Sequence, residues 1–451
     1  MIFWQYPQMC DIRIFICLKF LGSEELEAHP SHFTGADIEQ EFNTDAPYHK
    51  NWHQTFSHST ETGGTTMKKA IMLMLAVICI VPAVAMAETV KIGFINSITG
   101  PEAPIGENLS NGVTLAIEDL KAKGIDVDMI KEDDMGKPEK SMAALEKLAT
   151  RDKVVGIVGP YTSATSNADA KMAERYKVPL LIPVASKEEI TRQNLKWTFR
   201  TSGTTGDYAT ILFDLATGLG KPKTLAILNE NTDFGVSAAN SAKAIAEQKG
   251  IKVVFEEAYS KGSPDYRSTL AQAKAANPDI VFMVSYVADA ILMMRQSREI
   301  GLSPMAFLGA GAGFSVSQFA GEKEISHGIF SSTQWTEDAP WGDSKAWYQR
   351  YEKKFGKSPT YHAACAYESM MIMGQAASKV GGDREKLRQE LLTGKWNGIL
   401  GEVSFRDYDG YQNQRKAQML VEQVQNGKHE TVWPVELSAK KPIWPFPGWT
   451  K

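Results

Sequence analysis

Three observations predict an α/β protein of two doubly wound parallel-sheet lobes. From Thr89 onward, apolar runs and helical patterns alternate through short turns, the βαβ arrangement of a parallel sheet covered by helices on both faces. Two neighbouring units end their apolar runs in serine-bearing turns, Gly159-Pro160-Tyr161-Thr162-Ser163 and Pro183-Val184-Ala185-Ser186. After residues 197–200 the pattern starts again, and a second sheet of the same kind implies a second lobe.

Residues 90–95 read as the first strand, and 111–123 as a helix with Val113, Ala116, Ile117 and Leu120 on one face. A strand at 125–130 precedes a helix at 138–149, opened by proline in its first turn. Strands at 154–158 and 178–182 carry the two serine turns. The second set of strands falls at 224–228, 251–258, 280–285 and 305–308, with helical segments between them. Helical patterns at 347–355 and 363–379 have no strand between them, so the chain is expected to return there to the first lobe. Residues 401–405 and 416–425 read as late strands before a tail rich in proline and tryptophan.

Ser163 and Ser186 sit where a strand gives way to a helix. In an open α/β sheet that edge binds ligands, and a helix N-terminus there offers free N–H groups and partial positive charge to an anion. The chain therefore looks built to hold a small carboxylate. The competing reading is that both serines only cap their helices.

The front of the chain reads as an export signal. Met67-Lys68-Lys69 supplies the positive start, residues 70–84 the apolar core, and Ala85-Met86-Ala87 the cleavage site, so 67–87 is expected to be removed and Glu88 to begin the mature chain. Residues 1–66, upstream of a complete signal, are expected to be a non-native extension; their Cys10, Cys17 and five histidines fit no zinc spacing. Taking five basic and nine acidic residues from 49 and 53 leaves the mature chain formally neutral. With no basic run, nucleic acid and anionic membrane surfaces are not expected partners. Only Cys365 survives cleavage, so no intrachain disulfide is possible, and Ile78 before Cys79 is too large for lipid attachment. An exported, disulfide-free chain of this size suggests a periplasm.

The order Lys91-Ile92-Gly93, Thr99-Gly100-Pro101, Asn111-Gly112, Asp133-Asp134, Val158 to Ser163, Phe199-Arg200-Thr201, Asp233-Phe234-Gly235, Tyr266 and Tyr367-Glu368 resembles the type I periplasmic solute-binding proteins of the leucine/isoleucine/valine-binding family. The resemblance runs over essentially the whole chain from Glu88. It implies two lobes joined by three crossovers, near 202–207, 331–336 and 407–413, that close on a ligand and present it to an ABC transporter permease. Lobe I would comprise 88–205 and 335–406, and lobe II 206–334 and 407–451, in a monomer without cofactor or metal. Ser163 matches the family serine that holds a ligand α-carboxylate, and Ser186 the threonine that helps bind carboxylate and ammonium. Val184 matches the position whose carbonyl accepts from the ammonium, and Tyr286 the second-lobe tyrosine that closes over the ligand. Tyr161 and Thr162 flank the first of these in the same turn.

Three positions depart from the family pattern. Gly311 stands where branched-chain binders carry a glutamate for the ligand ammonium, and Ile105 and Phe234 replace aromatic or phenolic residues of the mouth and wall. A buried ammonium without a carboxylate partner costs several kcal/mol. The resemblance favours a hydrophobic or branched-chain amino acid served by another acid, such as Asp207 or Glu230; the alternative is an aromatic or branched-chain acid without an amine. A sensor with the same fold is a further alternative to a transport component. An enzyme is not expected: His327, His362 and His429 lie in no nucleophile elbow and read as surface or helix residues, and no phosphate loop or Cys/His ligand spacing is present. The methionines at 293, 294, 370, 371 and 373 read as core. Trp335, Trp341 and Trp347 read as hinge packing, with the cleft rim as the alternative.

Overall fold

The computed structural model describes residues 89–449. The predicted extension and signal peptide lie outside the described residues. β1 (Val90–Asn96) is buried at every position but Lys91, as a parallel strand covered on both faces must be. α1 (Ala103–Ala122) begins eight residues before the predicted 111, because Pro104 lies in the first turn, where its missing N–H leaves no helical bond unmade. β2 (Val127–Asp133), α2 (Pro138–Thr150), β3 (Gly156–Val158), α3 (Ser163–Tyr176), β4 (Leu180–Ile182) and β5 (Thr198–Arg200) follow as the sequence pattern requires.

The chain then crosses through α4 (Thr205–Leu219) to β6 (Thr224–Glu230), α5 (Asp233–Gln248), β7 (Lys252–Tyr259), α6 (Arg267–Ala275), β8 (Ile280–Val284), α7 (Val287–Ile300) and β9 (Ala306–Gly309). The short helices α8 (Ser317–Gly321) and α9 (Lys323–Ser326) lead to β10 (Phe330–Thr333). α10 (Ser344–Phe355), α11 (Tyr361–Ser378) and α12 (Arg384–Thr393) return to the first lobe, where α11 packs on α1, β1 and β3. β11 (Trp396–Gly398) and β12 (Gly401–Val403) pair in a ladder of their own, ahead of β13 (Arg406–Tyr408), β14 (Tyr411–Gln414), β15 (Leu420–Gln425) and β16 (Lys428–Trp433).

The first sheet runs β2-β1-β3-β4-β5-β14-β13 and the second β7-β6-β8-β9-β10-β15-β16. In both, the strand order reverses beside the first strand, which opens a crevice at the carboxyl ends of the strands. Each sheet therefore aims its own crevice with the same topology.

The third crossover is displaced from its predicted place at 407–413. β13 and β14 form an antiparallel hairpin about Asp409-Gly410, and β14 joins β5 in parallel through Gln414 and Arg200. Residues 406–414 thus belong to the first sheet, and the chain crosses between β14 and β15. Asp409 and Gly410 both have positive φ, 48° and 83°, as a two-residue Asp-Gly hairpin turn requires. Met293, Met294, Met370, Met371 and Met373 are all core residues. Trp335 and Trp347 pack edge to face at 5.1 Å, with the Trp335 indole N–H donating to Ser344 Oγ at 3.1 Å.

Burial outweighs nearby charge at three carboxyls. Burial pushes Asp169 to about 8, Glu230 to about 8 and Glu368 to about 7. Asp169 Oδ2 accepts from Ser141 Oγ at 2.7 Å, while Oδ1 has no partner among the described residues. A carboxyl whose pKa is raised by folding stabilises fully below its unfolded value and loses that contribution as pH rises through the folded value. The melting temperature is therefore expected to fall between pH 6 and 9, and Asp169→Asn to flatten the fall. His362, drawn down to about 3 by burial, acts in the opposite sense below pH 6.5 and so touches only the lower edge of this window. A melting temperature that is constant or rises from pH 6 to 9 would contradict the assignment.

Candidate ligand-binding cleft

The serine turns take their shape from a framework of buried hydrogen bonds. Thr162, not Ser163, is the N-cap of α3: its Oγ1 accepts from the Thr165 N–H at 3.2 Å. Ser163 opens the helix instead, and its Oγ accepts from the Lys187 N–H at 3.3 Å, joining the two turns. The N–H groups of Ser163 and Ala164, ahead of the capped Thr165 N–H, have no acceptor within the helix and remain available to an anion. Ser186 precedes a single 3-10 turn, Glu188–Thr191, rather than the predicted helix. Its position comes from Arg200, fully buried, which donates to Lys187 O at 2.6 Å, Ala185 O at 3.3 Å, Thr191 Oγ1 at 2.8 Å and Gln414 Oε1 at 2.6 Å. The Thr205 N–H donates to Ser186 O at 2.9 Å, so α4 of the second lobe holds the same turn.

Between the lobes lies a small cavity, about 20 Å³ of which the centre of a water-sized sphere can reach. From the first lobe it is lined by Tyr161, Ser163, Val184, Ser186, Tyr361 and His362, and from the second by Tyr208, Phe234, Tyr286 and Ala312. Ring contacts bridge the lobes: Tyr161 meets Tyr286 at 6.0 Å, and Phe234 meets Tyr286 at 5.7 Å. Charged groups bridge them outside the cavity. Lys187 Nζ pairs with Asp233 at 2.7 Å, and the Glu188 N–H donates to Ser237 Oγ at 3.1 Å. Lys261 pairs with the buried Glu102 and lies 4.3 Å from the centre of the Tyr286 ring. The lobes are in the closed arrangement.

Of the residues singled out by sequence, Ser163, Ser186, Val184, Tyr161, Tyr286 and Phe234 meet at this cavity. Thr162 caps α3, Ile105 is buried in the first-lobe core, and neither lines the cavity. Gly311 stands just behind it, where a side chain would meet Tyr361 Oη at 3.1 Å and Tyr208 Cε2 at 3.3 Å. Tyr208, Tyr361 and His362 were not expected here. His362, read as a surface or helix residue, is on a helix but fully buried, stacked on Tyr361 at 3.9 Å.

No acid faces the cavity. Asp207 is committed to the capping box of α4, its Oδ2 accepting from the Thr204 N–H at 2.8 Å. Glu230 accepts from Thr232 Oγ1 at 3.0 Å and from the Tyr286 N–H at 3.4 Å, and its raised pKa leaves it protonated at neutral pH. Burial also keeps the Tyr161, Tyr286 and Tyr361 phenols protonated and His362 neutral, so every side chain that lines the cavity is uncharged.

Residues 89–428 match the family model for periplasmic binding proteins. The chain belongs to that family. It is similar to Leu/Ile/Val-binding protein homolog 7 of Brucella suis, at 25% identity over 394 residues, covering 82% of this chain and 97% of the relative. Among solved structures it is similar to the leucine-binding protein LivK of Thermotoga maritima, with TM-score 0.69 and 23% identity, covering 76% of this chain and 98% of that one. A solute-binding protein of an ABC transporter from Rhodopseudomonas palustris, in complex with 3,4-dihydroxybenzoic acid, aligns with TM-score 0.68 and 23% identity, covering 76% of this chain and 96% of that one. The family is one of solute binders rather than enzymes. Among the described residues no helix is long and apolar enough to cross a membrane, and no cluster of ligating side chains could hold a metal ion.

Proposed function

We propose that this periplasmic binding protein is the exported, monomeric solute-binding component of an ABC importer, and that it captures a small aromatic carboxylate without an amino group. The observation that carries the reading is the charge of the cavity: its lining holds hydroxyls and a helix N-terminus for one anion, and no acid for a cation. An amino acid would bury its ammonium with only neutral acceptors, at a cost of several kcal/mol. The aromatic walls suit a flat ring. The Rhodopseudomonas protein in complex with a dihydroxybenzoic acid supports the same direction. The relatives named for leucine, isoleucine and valine support the amino-acid alternative, to which the missing glutamate at Gly311 is the objection.

A thermal-shift screen separates the two. Leucine, valine and phenylalanine are compared with 4-methylpentanoate, 3-phenylpropanoate and benzoate. A ligand at a hundred times its dissociation constant stabilises by about 2.7 kcal/mol. Benzoate and related amine-free acids are expected to raise the melting temperature, and the amino acids to leave it unchanged. Stabilisation by the amino acids alone would overturn the reading; stabilisation by neither class would overturn the carboxylate site itself.

A further inference from the structure

Two polar atoms at the cavity have no partner among the described residues, His362 Nε2 and Tyr161 Oη. Both side chains are almost wholly buried, and their rings meet edge to face at 5.8 Å. Buried polar atoms left unpaired are costly, so a pair of them at a binding cavity points to a ligand group that satisfies both.

Which group follows from the hydrogen bonds behind the imidazole. Asn108 Nδ2 donates to Pro104 O at 3.0 Å, which fixes Oδ1 as the amide oxygen, an acceptor only. Thr360 Oγ1 donates its single proton to that oxygen at 3.4 Å. Towards His362 the threonine hydroxyl can then only accept, so the 3.1 Å contact between Thr360 Oγ1 and His362 Nδ1 places the imidazole proton on Nδ1. Nε2 is left as a bare lone pair. Beside it, the Tyr161 hydroxyl offers a proton.

We infer that His362 and Tyr161 form a subsite for a ligand hydroxyl, which donates to His362 Nε2 and accepts from Tyr161 Oη, and that the preferred solutes are hydroxylated aromatic carboxylates. The inference rests on the reading of the cavity as a carboxylate site. An acceptor next to a donor matches a hydroxyl, which has one proton and free lone pairs. An ammonium could donate to both atoms but would leave the Tyr161 proton without an acceptor, and an ether has no proton for His362.

Isothermal titration calorimetry of the whole mature chain with benzoate, 3- and 4-hydroxybenzoate and 4-methoxybenzoate tests this. At least one hydroxybenzoate is expected to bind tenfold or more tighter than benzoate, and 4-methoxybenzoate no tighter than benzoate. In His362→Phe that ratio is expected to fall to within about threefold, and in Tyr161→Phe to fall part of the way. Should His362→Phe lose its native circular dichroism, Thr360→Val reads the same point, because it releases the imidazole proton from Nδ1 and is expected to reduce the ratio. Equal affinity of the wild type for benzoate and both hydroxybenzoates overturns the subsite and leaves the carboxylate cavity standing. A preference that survives in the histidine and threonine variants assigns it to other groups and overturns the role of His362. Failure of all the aryl acids while amino acids bind overturns the cavity reading, and the subsite with it.

Discussion

Gly159→Ala is expected to lower stability by about 3–5 kcal/mol and to weaken ligand binding at the same time. Gly159 has φ +114°, a region that L side chains rarely adopt, and a Cβ there would lie 2.1 Å from the Ile95 carbonyl oxygen. The strain contributes about 1–3 kcal/mol. Overpacking against backbone contributes about as much again, because β1 cannot retreat from its place between β2 and β3. At roughly 2.1 cal/mol/K per residue, a fold of this size would lose about 4–7 °C of melting temperature. Binding suffers because the displaced backbone leads directly into Tyr161, Thr162 and Ser163. Gly124→Ala separates the two contributions: it shares a positive φ, +77°, but its Cβ would meet nothing within 4 Å. It is expected to lose only about 1 kcal/mol and to bind normally. Thermal unfolding and ligand titration of both variants check this; equal losses in the two would show that the close approach to Ile95 carries no weight.

The parts of the fold legible in the sequence were those whose cause is local. β1, β6 and β8 are buried on both faces, so they appear as apolar runs, and the helices between them announce themselves by their apolar stripes. β10 did not appear. Its sequence Phe-Ser-Ser-Thr carries no apolar run, and it is a strand because β9 and β15 pair with it on either side. The β13–β14 hairpin had a local signal in Asp409-Gly410, which the sequence reading passed over in favour of a crossover.

The site divides in the same way. Ser163, Val184 and Ser186 stand at the ends of consecutive strands of one sheet, where topology alone places a ligand. Tyr361 and His362 lie about two hundred residues further on, at the start of a helix that returns from the other lobe. Their arrival beside Tyr161 depends on how α11 packs against α1 and β1, which no short stretch of sequence encodes. His362 carried no motif, and its significance lies in one unpartnered nitrogen.

The two readings of the first serine turn, helix cap or anion site, now make different predictions at adjacent residues. Thr162 performs the capping, so Thr162→Ala is expected to cost about 1 kcal/mol of stability and to alter affinity little, since Thr162 does not line the cavity. Ser163 opens the helix and lines the cavity, so Ser163→Ala is expected to lose only the stability of its long, part-buried bond from the Lys187 N–H, less than Thr162→Ala loses. It should weaken binding by about 1.5–3 kcal/mol, roughly tenfold to a hundredfold or somewhat more, the value of a charge-assisted hydrogen bond to a carboxylate stripped of water by closure. Ser186→Ala is expected to behave like Ser163→Ala, because Arg200 and α4 hold its turn through backbone carbonyls that the substitution does not touch. Contact through the Lys187 N–H joins the two turns, so the double variant is not expected to show a simple product of the single losses. Titration with benzoate, alongside thermal unfolding of the four proteins, checks the pattern. If Ser163→Ala lost stability as Thr162→Ala does and kept its affinity, the serine would be a structural residue, and the anion would have to be held by the helix N–H groups alone.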